Sequence, residues 1–167
     1  MKAIVYTSNA GHTATYAKIL GEKTGLLVYE LREATKKLNK GEEIIYMGWL
    51  FANTVKGYAK ASKFFAISAV VGIGLCDTGT GIDGVRKVNK IPDSMPVFTM
   101  QGGMDKTELR GINKFMINML IKMMDKKQNK TEDEERMIYL LKNDQNYVCE
   151  DNTVSFMKWY ITGRYEI

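Results

Sequence analysis

Two hydrophobic patterns alternate along the first hundred residues. Five apolar runs, at 2–6, 26–30, 43–48, 66–75 and 96–100, are continuous where a half-exposed strand would alternate. Continuous runs mark strands buried on both faces of a parallel sheet. Between them apolar residues recur every three or four positions, with Ala14, Ala17 and Leu20 in 13–23, then the segments 55–65 and 82–89, as in helices with one buried side. Parallel strands joined through helices need right-handed crossovers. The predicted fold is therefore α/β, a doubly wound three-layer sandwich with a five-stranded parallel sheet and helices on both faces. By analogy with other sheets of five strands the order is 2-1-3-4-5. A ligand then lies beyond the carboxyl ends of the strands, where the loops after strands one, three and four converge.

After residue 100 the helical pattern lengthens. One helix is predicted over 107–124, opened by Thr107 and Glu108, with Leu109, Ile112, Phe115, Met116, Met119, Leu120 and Met123 forming its apolar face. That face either covers the sheet or meets a membrane surface or a partner, to which Lys106, Lys114, Lys122, Lys126 and Lys127 would add positive charge. Residues 125–136 are charged or amide-bearing almost throughout and predict an exposed, mobile connector, with helix resuming at Thr131. Residues 137–141 read as an apolar turn. A last helix, capped by Asn152 or Thr153 and carrying Val154, Phe156, Met157 and Tyr160, is expected against one face of the sheet. No repeat divides the chain, so residues 1–167 read as one domain with a C-terminal helical segment.

Composition narrows the setting. A chain of 167 residues with 45% hydrophobic content can bury about 68–70% of its unfolded surface without staples. Only two cysteines, Cys76 and Cys149, and a first strand starting at residue 2 with no apolar leader point to a reducing cytoplasm. Peripheral contact with the inner face of the membrane stays open through the 107–124 helix. No apolar run reaches the roughly 18–20 residues of a membrane span. The net charge of +5 comes from lysines scattered along the chain, which argues against nucleic acid and for a surface that attracts acidic partners. One histidine and two distant cysteines offer no metal set.

The most specific segment follows the first strand: Thr7-Ser8-Asn9-Ala10-Gly11-His12-Thr13, then helix. Unpaired N–H groups of such a turn converge with those of the first helical turn and with the helix dipole, so an anion belongs there. Thr7, Ser8, Asn9 and Thr13 add neutral hydrogen bonds, and Gly11 permits close backbone approach. The loop lacks the lysine that a nucleoside triphosphate loop requires, so a monophosphate fits better. The plainer alternative is an ordinary helix start capped by Asn9 or Thr13. His12 either donates to the phosphate or lies in solvent.

Thr7, Asn9, Gly11 and Thr13 resemble the first loop of flavodoxins, Ser/Thr-x-Thr/Asn-x-Gly-x-Thr, which holds the phosphate of FMN. The resemblance implies a flavodoxin-like fold, FMN as cofactor, and two further contacts. Trp49-Leu50-Phe51-Ala52-Asn53 after the third strand would wall the isoalloxazine, with Trp49 or Phe51 stacked on it; ordinary strand-end packing is the alternative. Cys76-Asp77-Thr78-Gly79 after the fourth strand would read the pyrimidine edge. Cys76 is expected to pack in the core and not to act as a nucleophile, because Asp77 beside it raises the thiol pKa. The Gly-x-Gly-x-x-Gly of 79–84 is set aside as a dinucleotide site, since it lies outside the first βα turn and lacks the acidic residue about 20 positions on.

Gln101-Gly102-Gly103-Met104, the run 114–124, Tyr147-Val148-Cys149-Glu150 and the closing helix look like the flavodoxin-type, menaquinone-dependent protoporphyrinogen oxidases of bacteria, which pass electrons to quinones. Those relatives carry a longer insertion after the fourth strand, where 77–90 is short here. The resemblance implies an FMN-binding flavoprotein for electron transfer or a small flavin oxidoreductase, partnered by a redox protein or a quinone. The alternatives are a quinone-linked protoporphyrinogen oxidase-like enzyme and a flavin-less module that keeps the fold as a scaffold. A basic chain repels reduced, anionic flavin little, so a less negative second potential than that of low-potential flavodoxins is expected.

Overall fold

The computed structural model describes residues 1–109 and 111–165. Its parallel strands are β1 (Ala3–Thr7), β2 (Leu27–Glu30), β3 (Glu43–Phe51), β5 (Ala66–Gly74) and β6 (Val97–Gln101), with β4 (Thr54–Val55) a short antiparallel addition to β3. The path across the sheet is β2-β1-β3-β5-β6. Consecutive strand residues such as Ile44, Ile45, Tyr46 and Met47 are fully buried because helices cover both faces. Ala3, Val5, Ile44, Tyr46 and Val70 pack with α2 (Leu31–Lys37), α3 (Tyr58–Phe64) and α4 (Ile82–Asn89). Ile4, Ile45, Met47, Val71 and Phe98 pack with α1 (His12–Thr24) and α7 (Val154–Thr162). The period of two along each strand assigns its residues alternately to the two layers.

The sheet has six strands and not the expected five, and the helix expected over 55–65 is shorter. β3 runs on to Phe51, reverses at Ala52 and Asn53, whose φ values are 46° and 63°, and pairs back through Leu50–Val55 and Phe51–Thr54. Positive φ at both central residues suits the twist of a two-residue hairpin. The helix that follows starts only at Tyr58. α2 had no counterpart in the sequence pattern: it buries only Leu31 and Ala34.

The region after β6 departs most from expectation. The chain leaves the sheet as β7 (Gly103–Met104), forms α5 (Gly111–Asp125) and α6 (Glu132–Lys142), and returns as β8 (Gln145–Asn146), antiparallel to β7. Arg110, inside the predicted helix, lies outside the described residues. Thr107 does not open the helix; its N–H and hydroxyl both donate to Asp105 Oδ1. The connector is only 126–131, because the acidic half of the charged run is the first turn of α6. Thr131 caps that helix reciprocally with Glu134, Glu134 N donating to Thr131 Oγ1 at 3.3 Å and Thr131 N to Glu134 Oε2 at 3.1 Å. Residues 137–141 are helix within α6.

α5 belongs to neither of the two layers that cover the sheet faces and meets the sheet at the end of β3. Its buried side is Ile117 with Leu120, Ile121 and Met124, packed with Met104, Leu109, Leu141 and Phe51. Ile112, Phe115, Met119 and Met123, from the predicted apolar face, are exposed, so this row does not cover the sheet. The final helix lies as expected, with Phe156 and Trp159 against Phe98. Asn152 does not cap it, its amide donating to the Tyr16 hydroxyl at 2.6 Å. Thr153, at the N-cap position, makes no side-chain cap. Among the described residues no helix is long and apolar enough to cross a membrane.

Candidate functional site

The carboxyl ends of β1, β3 and β5 converge on a cavity of about 370 Å³, within the roughly 300–1,000 Å³ of small-molecule sites. Asn9, Ala10, His12 and Thr13 line it from the first loop, Trp49, Leu50, Phe51, Ala52 and Asn53 from the β3–β4 hairpin, and Cys76 and Asp77 from the loop after β5. Thr7, Ser8, Gly11, Thr78 and Gly79 are not among the lining residues.

Two of these five support the site from behind. The Tyr46 hydroxyl donates to Lys56 O at 2.8 Å, so its single proton is used and Thr7 Oγ1, also 2.8 Å away, donates to it. This chain ties the end of β1 to the turn before α3. Burial pushes the Tyr46 pKa up to about 12, so it stays a neutral donor. Thr78 Oγ1 donates to Asn152 Oδ1 at 2.7 Å and accepts from Gln101 N at 2.9 Å, fastening the loop after β5 to the C-terminal segment.

The first loop has the makings of an anion cradle. Gly11, with φ of 87°, is the N-cap of α1, and no side chain caps the helix, so neither Asn9 nor Thr13 plays the capping role. The first helical bond is Thr15 N to Gly11 O at 3.0 Å, which leaves the preceding N–H groups of the turn without helical acceptors. Ser8 Oγ is buried and has no hydrogen-bond partner. An orphaned buried hydroxyl costs about 1–3 kcal/mol, which a ligand oxygen would recover. Asn9 Oδ1 accepts from Asn113 Nδ2 of α5 at 2.8 Å, leaving its own amide to donate.

Burial lowers the pKa of His12, and Asp105 only partly opposes this. The imidazole is therefore neutral at pH 7. Because its folded value lies below the ordinary 6.5, its contribution to stability is intact above pH 6.5 and is lost as the pH falls through the folded value. As the one histidine in the chain, it is expected to give a single Hε1 resonance titrating below 6.5 by NMR. A bound anion in the first loop should move that midpoint upward. A free-protein midpoint at or above 6.5 contradicts the burial.

Trp49 and Phe51 stand edge to face, with centroids 6.3 Å apart and planes at 68°. Only one of them can lie flat on a planar ligand in this arrangement. Lys56 Nζ sits 5.5 Å from the Trp49 centroid and 5.2 Å from that of Phe51, a cation–π contact that fixes the pair. Cys76 is exposed at the rim, which corrects the core reading: the apolar run ends with β5, one residue earlier than its leucine suggests. Partial desolvation and then Asp77 push the thiol pKa up, so it remains a thiol near neutrality. Asp77 is bidentate with Arg136 of α6, at 3.1 and 2.7 Å. Both partners are exposed, so the pair locates α6 more than it stabilises it.

The roof of the cavity was not foreseen. It consists of Met104, Leu109, Ile117, Leu120, Met124 and Leu141, with Met137 beside them. Ile117, Leu120 and Met124 follow helical spacing, but so does the outer row, and nothing local separates the two. Among the described residues no group of three or more His, Cys, Asp or Glu side chains could hold a metal ion. Compared with protein-family models, with curated proteins and with solved structures, the chain gives no match.

Proposed function

We propose that the cavity binds FMN and that the protein is a flavodoxin-like flavoprotein, an electron carrier or small oxidoreductase. The observation that carries this reading is the uncapped α1 N-terminus, which lines the β1 corner of a cavity whose opposite walls are aromatic and apolar, with the orphaned Ser8 hydroxyl in the same loop just behind that lining. Such a division suits a phosphate on one side and a flat ring on the other. Ser8, Asn9 and Thr13 with the backbone of 9–13 would hold the phosphate, and Trp49 or Phe51 would stack on the ring. FMN, when bound, supplies the one- and two-electron chemistry.

Asp77 is the one acidic residue among those lining the cavity, and Arg136 neutralises it. This supports a second reduction potential less negative than that of flavodoxins whose flavin is ringed by carboxylates. The apolar roof of α5 and α6 favours an oxidoreductase with a neutral, apolar electron acceptor such as a quinone over a bare carrier, and oxidation of protoporphyrinogen with a quinone acceptor separates the two.

The direct test titrates the protein with FMN and with riboflavin, following flavin fluorescence and the visible spectrum. FMN should bind with quenching and riboflavin far more weakly. Equal binding of both would remove the phosphate cradle from the account, and binding of neither would favour a flavin-less scaffold.

A further inference from the structure

The longest helix of the structure turns its apolar row the wrong way for a globular core. Ile112, Phe115, Met119 and Met123 are 73%, 65%, 58% and 65% exposed, and at spacings of three and four they form one line along α5. At 1.5 Å per residue the line is about 16 Å long. Side chains more than half exposed on a helix stand out as a ridge, where folding or a fitted partner would bury them in a groove. The opposite side of α5 is already committed to the cavity roof through Ile117, Leu120 and Met124.

Charge decides what meets this ridge. Asp125 is the only acidic residue of α5, and Lys142 neutralises it. Lys114, Lys122 and Lys126 are exposed, and among the described residues none forms an ion pair with a carboxylate. Lys122 lies beside the apolar line on the helix surface, and Lys126 extends that edge beyond the last turn. Two copies meeting on this face would oppose like charges, which argues against a dimer. The row itself presents no hydrogen-bonding group, whereas specific protein interfaces carry about one hydrogen bond per 100–200 Å². A ridge of Ile, Phe and Met with lysines at its border matches an interfacial helix: the apolar side chains enter the acyl boundary and the ammonium groups reach anionic headgroups.

We propose that the outer face of α5 docks the protein on an anionic lipid bilayer, lying in the plane of the interface without crossing it. The inference does not rest on flavin binding, since it uses only residues that point away from the cavity.

Cosedimentation of the whole protein with vesicles tests it. Wild type should pellet with vesicles of equal parts phosphatidylcholine and phosphatidylglycerol, and much less with phosphatidylcholine alone. The surface variant Phe115→Ser/Met119→Ser should lower partitioning by roughly tenfold, and Lys122→Glu/Lys126→Glu by at least as much. Both should keep the wild-type thermal melt, because all four residues are exposed; if the first melts early, Met123→Ser alone replaces it. The proposal is overturned if wild type stays in the supernatant, or if it pellets regardless of the apolar row. It is equally overturned if sedimentation equilibrium shows a dimer that Phe115→Ser/Met119→Ser dissolves, which would give the face to a second copy.

Discussion

Replacing Ser8 with aspartate is expected to weaken FMN binding about a thousandfold while riboflavin binding stays unchanged. A carboxylate about 4 Å from the bound phosphate, at an effective dielectric near 20, repels it by about 4 kcal/mol, and each 1.4 kcal/mol is a factor of ten. Riboflavin has no phosphate to repel, so it separates the charge effect from damage to the fold. The companion change, Ser8→Ala, has two effects of opposite sign. It removes one hydrogen bond to a charged group, worth roughly 1.5–3 kcal/mol, so FMN should loosen by about tenfold or more. It also removes a buried hydroxyl that has no partner in the free protein, so the free protein should be no less stable. Fluorescence titration and urea unfolding read the two halves separately. A Ser8→Ala protein that is less stable when free and binds FMN as wild type does would make the hydroxyl a structural group.

The second large effect is at Gly57, where alanine should cost about 3–5 kcal/mol of folding stability, a large part of the 5–15 kcal/mol typical of a domain. Its φ is 85°, and an added Cβ would run into the Tyr46 hydroxyl while standing 2.6 Å from Thr7 Oγ1. The left-handed conformation alone costs alanine about 1–2 kcal/mol. The rest comes from breaking the Thr7–Tyr46–Lys56 chain, which holds the first loop against β3. Gly11 is the control. It has nearly the same φ, 87°, but nothing within 4 Å of an added Cβ, so Gly11→Ala should cost only the conformational part. Denaturation midpoints giving equal losses at both positions would refute the packing argument.

The layers of the sandwich were legible because burial on two faces leaves continuous apolar runs, and β1, β3, β5 and β6 begin and end within a few residues of those runs. The position of the first loop was legible because a glycine among small polar residues after an apolar run marks a strand-to-helix turn, and the structure has Gly11 there at φ 87° with the loop bordering the cavity. The β3–β4 hairpin was not, since its turn uses Ala52 where a glycine would have announced positive φ. α2 escaped because two buried residues in seven make no periodic signal. For α5 the period was right, and of the two readings it left open, a sheet-covering face or an outward one, Ile112, Phe115, Met119 and Met123 take the outward one. Both sides of the helix are apolar, and which one is buried depends on contacts with Met104, Leu109 and Leu141, far off in the sequence or hidden in a loop. Periodicity reports that a face is greasy and says nothing about which neighbour claims it.

The whole of 103–146 leaves and rejoins the sandwich at a single point. Tyr147 N donates to Gly102 O at 2.7 Å, and the β7–β8 ladder continues outward from there. Closing a loop across such a point adds an entropic penalty that grows only slowly with the length enclosed. The segment is thus a cassette clipped to a finished scaffold, and exchanging its helices would change the ceiling height above the Trp49 side of the pocket, provided a replacement for α5 kept the Asn113 amide that donates to Asn9 Oδ1. One scaffold can in this way carry ceilings of different shape, each set by the pair of helices plugged in above it.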